Sequence, residues 1–167
     1  ITVNTSALKH PELVSQISDK YGNQAVVVAI DAKRRYQLEE GREIIETPEG
    51  RCWFECSFYG GREFTNIDAL AWAKRAEQLG AGEILLTSMD RDGTYDGFDI
   101  QLTDAVSRMV EIPVIASGGV GRPEHILEVF QKTNASAALA ASIFHYREWR
   151  IEDVKKYLEK NGVHVRL

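Results

Sequence analysis

The stretch PVIASGGVGRPEHILEVFQK, residues 113–132, contains a short apolar run, a glycine loop and a helical pattern, in that order. Pro113–Ala116 is continuous and apolar, which is typical of a strand buried on both faces. Ser117–Gly121 follows as a loop, and Pro123 then opens a segment whose apolar residues recur at helical spacing. The stretch therefore predicts one strand–helix unit of a parallel sheet covered by helices.

The same succession of strand and helix recurs along the chain. Four further apolar runs are each followed by a polar loop and a helical pattern. The five predicted strands are Ile1–Val3, Ala25–Ile30, Ile84–Leu86, Pro113–Ala116 and Ala137–Ile143. Five such units predict either an open doubly wound sheet or part of a closed (βα)8 barrel, because both are built from repeated strand–helix pairs.

One segment, residues 33–64, interrupts this succession. It contains turn residues at positions 48–50 and 60–61, which flank extended segments such as Cys52–Phe58. This pattern predicts a long loop that carries one or two β-hairpins. We therefore expect residues 1–167 to form a single partial-barrel domain with a hairpin insertion after the second strand.

Composition limits the classes of function. The 167 residues carry a formal net charge of -5, which argues against a general role on nucleic acids or membrane surfaces. No apolar run approaches the roughly 20 residues that a membrane span needs. Cys52 and Cys56 have no second Cys or His pair nearby, so we expect reduced thiols in a cytoplasmic protein and no metal site. A small anion remains a possible ligand, because backbone N–H groups bind phosphate without net positive charge.

Polar residues follow the predicted strands, at the ends where α/β proteins bind ligands. Asp31 ends an apolar strand, and partial burial there can raise its pKa toward the range of a general acid or base. The alternative is a carboxylate that only caps a loop or a helix. Thr87 suits hydrogen bonding better than nucleophilic attack, since no histidine base lies in these loops.

Ser117, Gly118 and Gly119 form a candidate phosphate loop. Glycines let the backbone approach an anion closely, and the small residues Ala141 and Ser142 leave room for it after the next strand. The alternative is a glycine turn that only chain geometry requires. If the loop binds phosphate, Gly118→Val should abolish binding while the fold survives.

Four long motifs occur in the order of one known family. They are VVVAIDAKR (26–34), GAGEILLTSMDRDGTYDGFD (80–99), PVIASGGVG (113–121) and AALAASIFHYRE (137–148). Together they resemble the cyclase subunit of imidazole glycerol phosphate synthase. The resemblance implies a (βα)8 barrel that uses ammonia, delivered by a glutaminase subunit on the opposite face. It implies conversion of a phosphoribosyl substrate into imidazole glycerol phosphate and aminoimidazole carboxamide ribonucleotide, in histidine biosynthesis, without metal or cofactor.

The resemblance also implies roles for individual residues. Asp31 matches a catalytic aspartate, and Thr87 and Asp92 match active-site residues around it. The residues that match one phosphate site, where phosphate or sulfate should bind, are Asp92, Gly93, Ser117, Gly118, Gly119, Ala141 and Ser142. Asn4 and Thr5 match part of a second phosphate site, and Glu83 matches a charged residue at the ammonia entrance.

The chain departs from the family's pattern in its number of units. By the motifs, Ile1 falls at the fourth of eight strands, so five units and one of two catalytic aspartates are expected here. We therefore expect impaired turnover, and self-association through exposed barrel edges. Two alternatives remain open, namely a non-catalytic phosphosugar-binding half-barrel and an enzyme like the phosphoribosyl isomerase of the same pathway.

Overall fold

The computed structural model describes residues 1–166. The strands are β1 (Thr2–Val3), β2 (Val27–Arg35), β3 (Ile45–Thr47), β4 (Gly50–Phe58), β5 (Glu63–Asp68), β6 (Glu83–Ser88), β7 (Val114–Ser117) and β8 (Ala137–Ala138). The α-helices are α1 (Thr5–Lys9), α2 (Glu12–Tyr21), α3 (Ala69–Gln78), α4 (Ile100–Met109), α5 (Pro123–Lys132), α6 (Ser142–His145) and α7 (Ile151–Lys160). A short 3-10 helix, Asn23–Ala25, precedes β2.

The parallel strands are neighbours in the order in which the chain visits them. β1 pairs with β2, β2 with β6, β6 with β7, and β7 with β8, all in parallel. A doubly wound sheet instead reverses its strand order at a switch point, whereas a barrel wall keeps the chain order. The fold is therefore α/β, with a curled, parallel-rich half-barrel sheet.

β2 belongs to two kinds of pairing. Its first part, Val27–Ala32, pairs in parallel with β6, and its last part, Ala32–Arg35, pairs antiparallel with β4. β3 and β4 join through the two-residue turn Pro48-Glu49, and β4 also pairs antiparallel with β5. Most of segment 33–64 is thus an antiparallel extension of the parallel sheet.

Two apolar clusters fill the spaces between the sheet and its helices. The larger one includes Ile30, Ile84 and Leu86 from the sheet, which are fully buried against residues of α2, α3 and α4. The smaller one joins β7 to α5 and α7, and Ile143 lies fully buried within it. Since a fully buried aliphatic side chain contributes about 1.5–3 kcal/mol, these clusters fix the strand ends from which the loops project.

The predicted strand Ala137–Ile143 is wrong in its length. Only Ala137 and Ala138 pair with β7, after which the chain turns and Ser142 begins α6. Alanine favours helix over strand, and this run has no β-branched residue before Ile143 to extend the pairing. The short strand brings Ala141 and Ser142 directly to the end of β7.

Candidate functional site

A pocket of about 210 Å³ lies at the carboxyl ends of β7 and β8. Its walls come from the loops that follow β6, β7 and β8. The lining includes all seven residues predicted for one phosphate site, namely Asp92, Gly93, Ser117, Gly118, Gly119, Ala141 and Ser142. Sequence reasoning missed three further lining residues, Tyr95, Val120 and Leu139. Three separate loops thus meet at one concave surface.

Glycine is required at positions 118 and 119 by conformation and by space. Their φ angles are +92° and +98°, in the region that side chains with a Cβ rarely adopt. A Cβ atom on Gly118 would lie 2.7 Å from the carbonyl oxygen of Ser88. The expectation that Gly118→Val leaves the fold intact is therefore wrong, because the added side chain would displace backbone.

Hydrogen bonds join the loops that form this pocket. The Asp92 N–H donates to the Ser88 carbonyl over 2.9 Å, which closes the start of the loop after β6. Further along that loop, the Gly97 N–H donates to the Gly119 carbonyl over 2.8 Å. The Gly119 carbonyl of the loop after β7 is therefore bonded to the loop after β6.

Asp31 lies within β2, not at its end as predicted. The strand continues to Arg35 in the antiparallel extension, but the parallel pairing stops one residue after Asp31, at Ala32. Asp31 is half-buried, pairs in register with Thr87, and accepts a 2.8 Å hydrogen bond from Asn4 Nδ2 through Oδ2. The carboxylate therefore lies at the carboxyl end of the parallel sheet.

The surroundings of Asp31 raise its pKa. Burial is the largest cause, the hydrogen bond from Asn4 acts in the opposite direction, and the negative charge of Asp92 raises the pKa further. A raised pKa brings a carboxyl group closer to the range in which general acids and bases work. Asp31 thus has the electrostatic setting of a general acid or base.

Asn4 and Thr5, predicted for a second phosphate site, lie apart from the pocket. Asn4 precedes α1, and Thr5 is its first residue, where the sequence predicts only a polar loop. The Thr5 hydroxyl accepts a 3.0 Å hydrogen bond from the Tyr59 N–H. Asn4 Oδ1 is buried and has no hydrogen-bond partner within residues 1–166, so it could accept a bond from a ligand beside Asp31.

Glu83 lies at the opposite end of β6 from Thr87. It is the first residue of the strand, half-buried, and pairs in register with Val27. Side chains at the amino ends of parallel strands project from the face opposite the ligand loops. Glu83 is therefore placed away from the pocket and from Asp31.

A buried ion pair between Arg34 and Asp99 was not predicted from the sequence. Both carboxylate oxygens of Asp99 accept hydrogen bonds from Arg34, over 2.9 Å and 3.0 Å. Arg34 Nη1 also donates to Glu49 in the β3–β4 turn, and Arg91 Nη2 donates to the same carboxylate. Nothing in the local sequence indicates this pair, since Arg34 lies near the end of β2 in a run of three basic residues.

The two cysteine thiols lie buried in β4. Cys52 and Cys56 are free, and burial raises the pKa of both thiols. A thiol with a raised pKa is a poor nucleophile, so neither belongs to the candidate site. Within residues 1–166, no group of three or more His, Cys, Asp or Glu side chains could hold a metal ion, and no helix could cross a membrane.

Comparison with known proteins identifies the family. A sequence model of the family described as "Histidine biosynthesis protein" matches residues 1–150. The chain belongs to this family. Among curated proteins, it is similar to the imidazole glycerol phosphate synthase subunit HisF of several organisms, which confirms the resemblance inferred from the four motifs.

The similarity extends over almost all of the chain. Identity is 59% to the subunit of Methanobrevibacter smithii and 60% to that of Methanothermobacter thermautotrophicus, in each case over 99% of this chain. It is 51% to that of Methanocaldococcus jannaschii, over 100% of this chain. The chain spans about 62% of the length of the first two relatives and 63% of the third.

Proposed function

We propose that this chain carries cyclase chemistry of imidazole glycerol phosphate synthase in histidine biosynthesis. The proposed reaction uses ammonia to form imidazole glycerol phosphate and aminoimidazole carboxamide ribonucleotide from a phosphoribosyl substrate. The observation that carries the proposal is the meeting of seven predicted phosphate-binding residues in one pocket. The relatives' shared name supports the choice of this reaction over that of the phosphoribosyl isomerase.

The pocket residues and Asp31 receive complementary roles in this proposal. The glycine loop offers backbone N–H groups to one phosphate of the substrate, since no side chain separates that backbone from the pocket. Asp31 transfers protons, while Thr87 and Asp92 contact the substrate beside it. Asn4 and Thr5 contribute to the binding of the second phosphate.

In this proposal the glutaminase subunit binds at the amino ends of the parallel strands, opposite the ligand loops. A glutaminase subunit would dock there and release ammonia near Glu83, which lies at the amino end of β6. We also propose that the parallel strands are five consecutive units of a (βα)8 barrel wall, because their spatial order equals their chain order. The proposed reaction requires no metal or organic cofactor.

A phosphosugar-binding half-barrel without turnover is the second candidate function. It is favoured by the composition of the pocket, because Asp31 is not among the residues that line it. The pocket would therefore bind an anion without a contribution from the proposed acid–base group. Binding of inorganic phosphate without any ammonia-dependent turnover would support this candidate.

Ser142→Asp tests the phosphate pocket. We expect the affinity for inorganic phosphate to fall at least tenfold, because two negative charges about 4 Å apart near a protein surface repel by several kcal/mol before solvent screening. Ser142 is half-buried and begins α6, where an acidic residue is well tolerated, so the fold should persist. Isothermal titration calorimetry measures the affinity.

Ser136→Asp is the matched control for this variant. Ser136 is exposed and precedes β8, whereas Ser142 follows it, so the same charge is added outside the pocket. The control should bind phosphate like the unaltered chain. Equal affinities of all three proteins would contradict the proposed phosphate site.

Self-association is the expected consequence of the sheet edges. Within residues 1–166, β1 and β8 each pair with one strand, so their outer edges present unpaired backbone groups. We expect a dimer or larger oligomer in analytical ultracentrifugation at micromolar concentration. A single monomeric species would contradict this part of the proposal.

A further inference from the structure

His125 lies buried next to the glycine loop, in the first half of α5. Its exposed fraction is 7%, although it lines a cavity of about 500 Å³ together with Tyr95, Gly121 and Arg122. This cavity adjoins the phosphate pocket, because Tyr95 lines both. None of the roles proposed above uses this imidazole.

The imidazole contacts the two segments that shape the loop. The Gly121 N–H donates to His125 Nδ1 over 3.1 Å, which orients the peptide that follows the pocket residue Val120. A Cβ atom on Gly97 would lie 3.5 Å from the ring, so the ring packs against the segment whose N–H holds the Gly119 carbonyl. The His125 side chain therefore contacts the glycine loop directly at Gly121 and the segment that bonds to it at Gly97.

Only one protonation state of His125 allows the contact with Gly121. A neutral imidazole has a single acceptor nitrogen, yet Gly121 N–H and Arg122 Nε each lie 3.1 Å from a different ring nitrogen. The Gly121 N–H belongs to a backbone held between β7 and α5, whereas the Arg122 side chain is 65% exposed and can turn away. Nδ1 is consequently the acceptor, and Nε2 carries the proton.

We propose that His125 is a positioning residue that holds residues 118–121 in their anion-binding conformation through the Gly121 N–H. It acts as a neutral imidazole and does not touch the anion. This inference rests on the proposed function, because it assumes that the pocket binds phosphate. Its consequence is that binding weakens when Nδ1 becomes protonated, since an imidazolium has no acceptor to offer Gly121.

The charged groups around His125 set the pH range of this effect. Burial lowers its pKa most, the positive charge of Arg122 lowers it further, and Glu124, Glu128 and Asp96 act in the opposite direction. Glu148 lines the same cavity. Because the folded-state pKa lies below the ordinary value of about 6.5, the contact is intact above that pH and is lost as the pH falls through the lowered pKa.

Two substitutions separate positioning from mere packing. His125→Asn keeps an acceptor near the position of Nδ1 and does not titrate, whereas His125→Leu keeps apolar bulk and removes the acceptor. We expect His125→Leu to bind sulfate about tenfold more weakly at neutral pH, because it loses roughly one hydrogen bond. His125→Asn should bind sulfate like the unaltered chain. Sulfate is the probe, because it keeps its charge between about pH 5 and pH 8, where His titrates.

The pH profile is the decisive measurement. The sulfate affinity of the unaltered chain should fall on acidification, whereas that of His125→Asn should stay nearly constant. In Arg122→Gln the affinity should fall at higher pH, because the positive charge that lowers the pKa of His125 is removed. The Gly121 amide resonance should titrate over the same range in the unaltered chain, but not in His125→Asn or His125→Leu. Two results would contradict this inference but not the proposed function. In one, His125→Leu binds sulfate as tightly as the unaltered chain; in the other, His125→Asn loses affinity on acidification as the unaltered chain does. Failure of the unaltered chain to bind sulfate or phosphate would contradict the proposed function and this inference with it.

Discussion

Replacing Asp99 by alanine is expected to lower the free energy of unfolding by about 3–5 kcal/mol, because it leaves a buried guanidinium without its main partner. The side chains of Arg34 and Asp99 are 4% and 0% exposed. Asp99 also accepts hydrogen bonds from the Ser88 hydroxyl and the Leu102 N–H, so the start of α4 loses its cap as well. Urea denaturation followed by circular dichroism measures the change.

Two controls test whether the buried charge causes this loss. Asp104→Ala removes an ion pair with Arg108 from the same helix, but that pair is more exposed, so the expected loss is at most about 1 kcal/mol. Combining Arg34→Met with Asp99→Leu removes both charges and should cost less than Asp99→Ala alone. A loss below about 1 kcal/mol for Asp99→Ala would contradict the structural role of the pair.

Asp31→Asn should reduce the proposed ammonia-dependent turnover by about 10²- to 10⁴-fold, the usual contribution of a general acid or base. Asparagine keeps the size of the side chain and an oxygen that can accept the bond from Asn4 Nδ2. Stability and phosphate binding in the pocket should therefore change little. Product formation with ammonia as nitrogen donor measures turnover, and calorimetry measures binding.

The matched control for Asp31→Asn is Asp19→Asn, an exposed position on α2. It should leave turnover unchanged. Asp92→Asn supplies a second readout, because removing the like charge should lower the pKa of Asp31 in an NMR titration of its carboxyl group. Retention of more than a tenth of the turnover by Asp31→Asn would exclude an acid–base role.

Local patterns in the sequence predicted the pocket residues because each loop of the pocket is a short segment that directly follows one strand. Ser117–Gly119 directly follows an apolar run, and the structure places that loop at the end of β7. The same reasoning failed at Ala137–Ile143, where an apolar alanine-rich run suits both strand and helix. It also placed Asp31 at a strand end, since the polar residues after Ala32 concealed the continuation into the antiparallel pairing with β4.

The contacts that support the site could not be predicted from the sequence. Arg34 and Asp99 are 65 residues apart, and neither has a spacing or neighbour that indicates the other. The Gly121 contact with His125 spans four residues, yet its meaning depends on burial and on which ring nitrogen carries the proton. Such interactions follow from tertiary packing, which no periodicity of the sequence encodes.

The double pairing of β2 has a consequence for the order in which the chain folds. β2 and β6 are far apart in sequence, and closing a flexible loop of that length costs conformational entropy. β4 instead pairs with β3 and β5 across the short turns 48–49 and 59–62, and with the end of β2. The intervening chain can therefore become compact before β6 pairs with β2. We therefore expect the antiparallel extension to form early and the parallel strands to add to it in sequence, which makes the extension a nucleus for folding.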